Sequence, residues 1–211
     1  MTKLTDLHTK EFLALLASDA PAPGGGGAAA MAGALAAALA SMQANLTIGK
    51  KNFVEQQAEA ELLLLQAENS RSKLLELAED DAAVFSEFMR CYRLPKSNEE
   101  EKLLRSQSIC RAAKRAAEIP LEIARESLRV MRLALRMAQI GNPHVITDGA
   151  VSGLLARAAL RGSIYNIMVN LRLTQDEAYN MTLCQESNLL EQQAEKLEQE
   201  ILALTDKVIG R

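Results

Sequence analysis

Residues 28–46 read AAAMAGALAAALASMQANL, and this alanine-rich stretch decides the fold. It lies within a longer segment, residues 20–49, that contains no Asp, Glu, Lys or Arg. A run of this length is long enough to span a membrane. However, alanine is a weak hydrophobe, and polar side chains such as Ser41 and Asn45 fall within its last turns. The stretch is therefore predicted to be a buried core helix, whose small side chains let neighbouring helices approach closely.

The rest of the chain is predicted to form long helices. Pro and Gly number 16 in total, and eight of them lie between Pro21 and Gly49, so few helix breakers remain elsewhere. Residues 52–94 contain neither, and a continuous helix there would run about 60 Å, longer than a compact domain of this size is wide. No segment shows the two-residue period of a strand. Such a helix either bends or belongs to an elongated bundle. The sequence predicts one all-α domain over residues 1–211, an elongated helical bundle with long antiparallel helices.

Local signals predict where several helices begin and end. Ser97 and Thr174 are each followed three residues later by Glu, which is the pattern of a capping box. Pro120 is expected to stop or kink the helix that contains it. Gly162 is expected to separate a short helix from a helical or irregular piece that follows.

Composition and charge exclude several classes of function. The net charge of −3 gives no overall basic field for nucleic acid or an anionic membrane, and 3% aromatic residues leave little for base stacking. Cys91, Cys110 and Cys184 form no C-x-x-C pair, so neither a zinc nor an iron–sulfur site is expected. The charged N-terminal residues are not typical of a signal peptide, which predicts a cytoplasmic protein.

The core helix is preceded by a glycine-rich segment, Pro21-Ala22-Pro23-Gly24-Gly25-Gly26-Gly27. Glycines let backbone approach a ligand closely, and free N–H groups at a helix start attract anions. The segment lacks a Walker lysine and follows no predicted strand, so it is neither a P-loop nor a Rossmann loop. Two interpretations remain open, a structural turn and a loop that contacts a ligand.

A cationic motif, Asn45-Leu-Thr-Ile-Gly-Lys50-Lys51, follows the same helix. It is either a C-terminal cap with solvated lysines or a positive corner for an anionic substrate.

Further polar residues occur at three other places. Asn142 and Asp148 lie in Gly141–Gly149, where Thr147 or Asp148 can cap the following helix. Asn166 and Asn170 are four residues apart on one helical face, and their amides need partners in each other, the backbone or a ligand. Asp81 is either a solvated charge or, if buried, a carboxylate that is paired or has a raised pKa.

The order of these motifs resembles that in the cyclodeaminase/cyclohydrolase family of folate enzymes. The resemblance extends from about Phe12 to Tyr179. It rests on Pro21–Gly27, Asn45–Lys51, Asp81 with Arg93-Leu-Pro-Lys96, Ile119-Pro-Leu-Glu122, Gly141-Asn142 with Asp148, and Asn166-x-x-x-Asn170-Leu171. It implies an all-α homodimer that binds folate in a cleft at or near the subunit interface and needs no metal or redox cofactor.

Within the family, the glycine run and the Asn-Leu-Thr-Ile-Gly-Lys-Lys segment are similar to those of free-standing cyclohydrolases. This similarity implies hydrolysis of 5,10-methenyltetrahydrofolate to 10-formyltetrahydrofolate. The alternatives are cyclodeamination of formiminotetrahydrofolate with release of ammonia, and a non-catalytic helical dimer that keeps the scaffold for binding.

The resemblance also implies a role for each matched residue. Asp148 is the first candidate for the general base or for stabilising the cationic substrate, Asp81 is the second, and Lys50 is the proton donor or oxyanion partner. The glutamate carboxylates would be met by Lys51, Arg93 and Lys96. Hydrogen bonds to the pterin would come from Asn45, Asn142, Asn166 and Asn170, while Gly24 to Gly27 would let it lie against backbone.

Overall fold

The computed structural model describes residues 3–211, which form six α-helices and no strand. The helices are α1 (Thr9–Leu16), α2 (Gly25–Asn45), α3 (Gln57–Tyr92), α4 (Glu99–Ile140), α5 (Ile146–Leu171) and α6 (Glu177–Ile209). Short 3-10 helices lie at Leu4–Asp6, Lys51–Phe53 and Pro143–Val145. The all-α prediction is confirmed. Cys91, Cys110 and Cys184 are all unpaired.

Helix α2 is the core helix of the bundle and packs against α3, α4 and α5. Ala30, Ala36 and Ala37 are completely buried. At Gly33 an added Cβ would lie 3.1 Å from Leu74, so even one methyl group would crowd the contact with α3. By hydropathy and length α2 also qualifies as a membrane span, but 56% of its most apolar window is buried inside the fold. This burial is what the small-residue pattern predicted.

The two longest helices give the bundle its elongated form. Helix α3 has 36 residues and α4 has 42, so α4 extends about 60 Å. They run antiparallel, because Arg136 near the end of α4 pairs with Glu59 near the start of α3, while Arg115 pairs with Glu87 near the other end. The prediction of long antiparallel helices is confirmed.

Neither Pro120 nor Gly162 ends a helix. The prediction that Gly162 separates two elements is wrong, and of the two outcomes predicted for Pro120, a stop or a kink, the stop is excluded. Pro120 lies inside α4, and the carbonyl four residues earlier, that of Ala116, loses its usual intrahelical donor. The side chain of Asn170 supplies a donor instead, with its Nδ2 atom 2.7 Å from the Ala116 oxygen. Gly162 lies inside α5, where an added Cβ would make only an ordinary contact, 3.8 Å from the Cβ of Ala29.

The helix caps lie beside the predicted ones. Asn98 rather than Ser97 caps α4, and its side chain accepts a hydrogen bond from the N–H of Glu101. Asp176 rather than Thr174 caps α6. Helix α5 has no side-chain cap, since Asp148 lies within its first turn rather than before it. For α4 and α6 the capping side chain lies one or two residues after the predicted one, and for α5 the predicted side-chain cap is absent.

Candidate functional site

A pocket of about 320 Å³ lies where the start of α2 meets α3, α4 and the end of α5. We call it the glycine pocket. It brings together six predicted site residues that are distant in sequence: Gly24, Gly25, Gly26, Asp81, Asn166 and Asn170. The rest of the wall is mainly apolar and is formed by Pro21, Ala22, Val84, Phe85, Phe88, Ala116, Ile119, Pro120, Val169 and Leu173. A mainly apolar pocket with a few convergent polar groups is typical of a small-molecule site.

Of the residues that the structure describes, Asp81 is the only charged one that lines this pocket. Its Oδ2 atom accepts a hydrogen bond of 2.9 Å from the N–H of Gly27 in the first turn of α2. Burial raises the pKa of the Asp81 carboxyl above its ordinary value, and the hydrogen bond from Gly27 opposes part of that rise. No cationic side chain among the lining residues compensates the charge.

Gly26 is required by the position of that carboxylate. A Cβ added at Gly26 would lie 2.1 Å from Oδ1 of Asp81 and 2.7 Å from Oδ2. The carboxylate therefore occupies the space that any other residue would fill at this position. This close approach explains one member of the glycine run, which the sequence left open as either a turn or a ligand loop.

The two asparagines of α5 are held by backbone carbonyls. Asn170 donates from Nδ2 to Ala116 at 2.7 Å and to the backbone oxygen of Asn166 at 3.0 Å. Asn166 donates from Nδ2 to Gly162 at 2.9 Å. Because a carbonyl can only accept, these contacts fix which amide atom is nitrogen. The expectation that these amides need partners is met by the backbone.

Sequence reasoning missed the aromatic wall of the pocket. Phe85 is 38% exposed and Phe88 is 8% exposed, and both line the pocket beside Asp81. Val84, Phe85 and Phe88 follow Asp81 by three, four and seven residues, which is the spacing of one helical face. Apolar residues at this spacing from Asp81 could have indicated the pocket wall from the sequence.

A second cluster lies at the other end of α2. A pocket of about 360 Å³, here called the lysine pocket, is lined by Lys50, Lys51, Asn52, Phe53, Asn142, Pro143 and His144. Its loop is tied to α2, because the N–H of Asn142 donates to the hydroxyl of Thr47 at 3.0 Å. The side chain of Asn142 also donates to the carbonyl of Leu46 at 3.3 Å. Asn45 is exposed beside this cluster.

The turn that precedes Asp148 is held at the same end of α2 by Gln43, a buried residue that was not predicted to matter. Gln43 donates from Nε2 to the carbonyl of Val145 at 3.0 Å, in the turn that leads into α5. Gly149 permits this arrangement, since a Cβ there would lie 2.6 Å from the same Nε2 atom. Asp148 itself is half-buried in the first turn of α5.

The predicted site residues thus form two groups rather than one. Helix α2 separates them, and its 21 residues span about 30 Å. Arg93 and Lys96 follow α3, are exposed, and line neither pocket. Gly27 lies behind the glycine pocket, where its N–H is used by Asp81. Among residues 3–211, no three His, Cys, Asp or Glu side chains converge as a metal-binding group.

Comparison with known proteins identifies the family. The family model described as formiminotransferase-cyclodeaminase matches residues 8–189. The chain belongs to this family.

The similar proteins fall into two groups. A methenyltetrahydrofolate cyclohydrolase from Methylorubrum extorquens is 45% identical over 168 residues, which cover 80% of this chain and 81% of that protein. The formimidoyltransferase-cyclodeaminase of Rattus norvegicus is 28% identical, and the match covers 83% of this chain but only 32% of the rat protein. The chain thus spans about a third of the length of the rat relative.

A solved family structure shares the whole fold. The crystal structure of formiminotetrahydrofolate cyclodeaminase from Thermotoga maritima has a TM-score of 0.88 to this chain at 29% identity. The match covers 98% of this chain and 99% of that one. The six-helix bundle is therefore the family fold over its full length.

Proposed function

We propose that this protein hydrolyses 5,10-methenyltetrahydrofolate to 10-formyltetrahydrofolate. The observation that carries the proposal is the match to a cyclohydrolase at 45% identity, which covers about four fifths of both chains. The relatives named for cyclodeaminase activity are more distant, at 28–29% identity. We also propose a cytoplasmic location, consistent with the burial of α2, the helix most like a membrane span.

The chemistry is acid–base chemistry at one carbon. The substrate carbon is held as an amidinium between N5 and N10, and water adds to it while a base removes a proton. The tetrahedral intermediate then collapses, the C–N5 bond breaks, and N5 retains the electron pair and receives a proton. Carboxylate and ammonium side chains are sufficient for these steps, so the proposed mechanism uses no metal or redox cofactor.

We assign these steps to the residues around the lysine pocket. Asp148 is the proposed base or the group that stabilises the cationic substrate, and Lys50 is the proposed proton donor. Lys51 is available to a glutamate carboxylate of the substrate, because it lines the same positively charged pocket. Asp81 lies about 30 Å away at the opposite end of α2, so a single chain cannot present it to the same substrate atoms.

A homodimer resolves this separation. Helices α2 and α5 are antiparallel neighbours, since the hydroxyl of Ser152 donates to the carbonyl of Ala36 at 2.7 Å and Gly25 lies beside Asn166. Together they expose a largely apolar face, in which Arg161 of α5 is an exposed charge beside Tyr165. Its most exposed apolar members are Leu35, Val151, Leu154, Tyr165 and Val169. An apolar face of this kind is typical of a protein–protein contact.

The position of Leu35 indicates how two copies would pack. Leu35 is the midpoint of α2 and is 58% exposed. A two-fold axis at this residue makes the α2 helices of the two subunits antiparallel, about 8–10 Å apart. The Gly25 end of one helix then lies beside the Asn45 end of the other. We propose that each active site combines the glycine pocket of one subunit with the lysine pocket of its partner.

The activity is tested by following the absorbance of 5,10-methenyltetrahydrofolate after adding the protein, against spontaneous hydrolysis. We expect acceleration without ammonia. If methenyltetrahydrofolate is stable while ammonia is released from 5-formiminotetrahydrofolate, the protein is a cyclodeaminase, the activity that the Thermotoga maritima structure is named for. A protein that accelerates neither reaction would contradict both assignments and leave a non-catalytic folate-family dimer.

The shared site is tested by subunit complementation. Asp81→Asn and Asp148→Asn proteins are expected to have little activity separately. Unfolding and refolding them together should restore about a quarter of the wild-type activity, because half of the dimers are mixed and each mixed dimer has one intact composite site. No recovery in mixed dimers would contradict a site built from two subunits. Refolded Asp148→Asn alone is the control.

A further inference from the structure

The side chains that line the glycine pocket present hydrogen-bond acceptors. Both Nδ2 hydrogens of Asn170 are used by backbone carbonyls, and Asn166 donates from Nδ2 to Gly162. No hydrogen bond reaches the Oδ1 atom of either asparagine from residues 3–211. Asp81 contributes a carboxylate with only Oδ2 engaged, by the N–H of Gly27. A ligand that satisfies these oxygens must bring hydrogen-bond donors, such as N–H groups.

The backbone at the same wall presents donors. Gly25 and Gly26 are the first two residues of α2 and line the pocket. Their N–H groups have no intrahelical acceptor, because the first turn of a helix lacks preceding carbonyls. A ligand oxygen is the natural partner for them. The pocket therefore offers donors and acceptors side by side, together with the apolar surfaces of Phe85, Phe88 and Pro120.

A flat ring with an N–H group, an amino group and a carbonyl along one edge complements this wall. The pyrimidine half of a folate's bicyclic ring has that edge, formed by the 2-amino group, the ring N–H and the 4-oxo group. We propose that the glycine pocket binds this edge, with the Asp81 carboxylate accepting N–H hydrogen bonds and the first-turn N–H groups of α2 donating to the oxo group. Asp81 is then a substrate-recognition residue and not the base.

This assignment rests on the proposed function, because it takes a folate as the ligand. It also determines the orientation of the substrate in the pocket. The glutamate end carries carboxylates, which the Asp81 charge would repel, so it must point out of the pocket. The partner subunit's lysine pocket is the cationic surface that meets it. Burial of Asp81 without a cation, which raises the pKa of its carboxyl, favours a ligand that delivers N–H groups to the oxygen atoms.

The test compares two ligands that differ at the 2-position only. One is 5-formyltetrahydrofolate, which lacks the reacting methenyl bridge, and the other is its 2-desamino-2-methyl analogue. Calorimetric titrations use the wild-type protein, Asp81→Asn and the matched control Asp80→Asn, whose side chain is exposed on the same helix and lines no described pocket. The wild-type and Asp80→Asn proteins should prefer the amino ligand by about 10- to 100-fold. Asp81→Asn should lower the preference to less than about threefold.

Three outcomes overturn the assignment. Equal wild-type affinity for the two ligands excludes recognition of the amino group and needs no variant. An unchanged preference in Asp81→Asn with a collapsed kcat makes Asp81 the base. If neither ligand binds, the glycine pocket does not recognise folates. A wild-type protein that shows the preference but does not hydrolyse methenyltetrahydrofolate would support the pocket assignment while contradicting the proposed activity, so the two failures are distinct.

Discussion

The substitution Asn170→Ala tests whether the side chain of Asn170 replaces the backbone donor that Pro120 lacks. In the wild-type protein Pro120 has no N–H for the carbonyl of Ala116, and the Nδ2 atom of Asn170 takes that place at 2.7 Å. Removing the side chain leaves the partly buried carbonyl without a protein donor. Replacing Pro120 by alanine restores the ordinary backbone donor. Asn170→Ala is therefore expected to be costly only while residue 120 is proline.

The magnitudes follow from these contacts. An unsatisfied buried carbonyl costs about 1–3 kcal/mol, which for a domain of this size lowers Tm by about 2–12 °C. In the Pro120→Ala background the new N–H donates to Ala116, so Asn170→Ala should cost less than about 1 kcal/mol. Pro120→Ala alone should not destabilise the protein, because proline costs up to about 3 kcal/mol in a helix interior.

Urea unfolding of the wild-type, both single variants and the double variant measures the coupling between the two positions. We expect a positive coupling free energy, on the order of 1–2 kcal/mol. Asn188→Ala, at an exposed position on α6, is the control and should leave stability unchanged. The reasoning is wrong if Asn170→Ala costs the same free energy in both backgrounds, since the amide would then not substitute for the missing backbone donor.

Three further predictions concern glycine contacts and the buried carboxylate. Gly149→Ala should destabilise the fold by about 1–3 kcal/mol in thermal unfolding, because the new Cβ would lie 2.6 Å from the buried amide of Gln43. Gly162→Ala on the same helix should raise stability by about 0.5–1 kcal/mol, and equal Tm values for these two variants would contradict the geometry. Gly26→Ala should weaken binding of 5-formyltetrahydrofolate by about tenfold or more, because it displaces the Asp81 carboxylate; wild-type affinity in a titration would exclude this. The raised pKa of Asp81 means that the folded state binds its proton more tightly than the unfolded state, so wild-type stability falls as pH rises through that pKa. Asp81→Asn should therefore be more stable than the wild-type protein near pH 7 and lose that advantage below about pH 4, as measured by Tm across pH.

Local sequence patterns predicted most of the fold, but they did not predict that α4 and α5 continue through Pro120 and Gly162. The alanine-rich stretch predicted α2 to within a few residues of its observed bounds, Gly25–Asn45. Pro120 and Gly162 were predicted to interrupt helices because local rules consider only neighbouring backbone. The donor that keeps α4 continuous comes from Asn170, 54 residues away from the carbonyl it contacts. Long-range compensation of this kind has no local signal.

The sequence predicted which residues belong to the candidate site, but it did not predict which of them lie together. The order of the motifs along the chain indicated Asp81, Asn166 and the glycine run as site residues, and the structure brings them into one pocket. It also named Lys50 and Asp148, which the structure places at the other end of α2. The sequence analysis assigned no role to Phe85, because only the packed neighbours of an apolar residue distinguish a pocket wall from a core.

The sequence by itself determined the composition of the helices, the small-residue character of α2 and the family motifs, because each of these depends on residues close together along the chain. The tertiary structure decided which polar groups meet. It showed that the Asp81 carboxylate occupies the space above Gly26 and that the side-chain amide of Asn170 replaces a backbone donor. It also showed that about 30 Å of helix separates the two polar groups. Such distances depend on how helices pack, and packing is fixed by contacts between residues that the linear order keeps far apart.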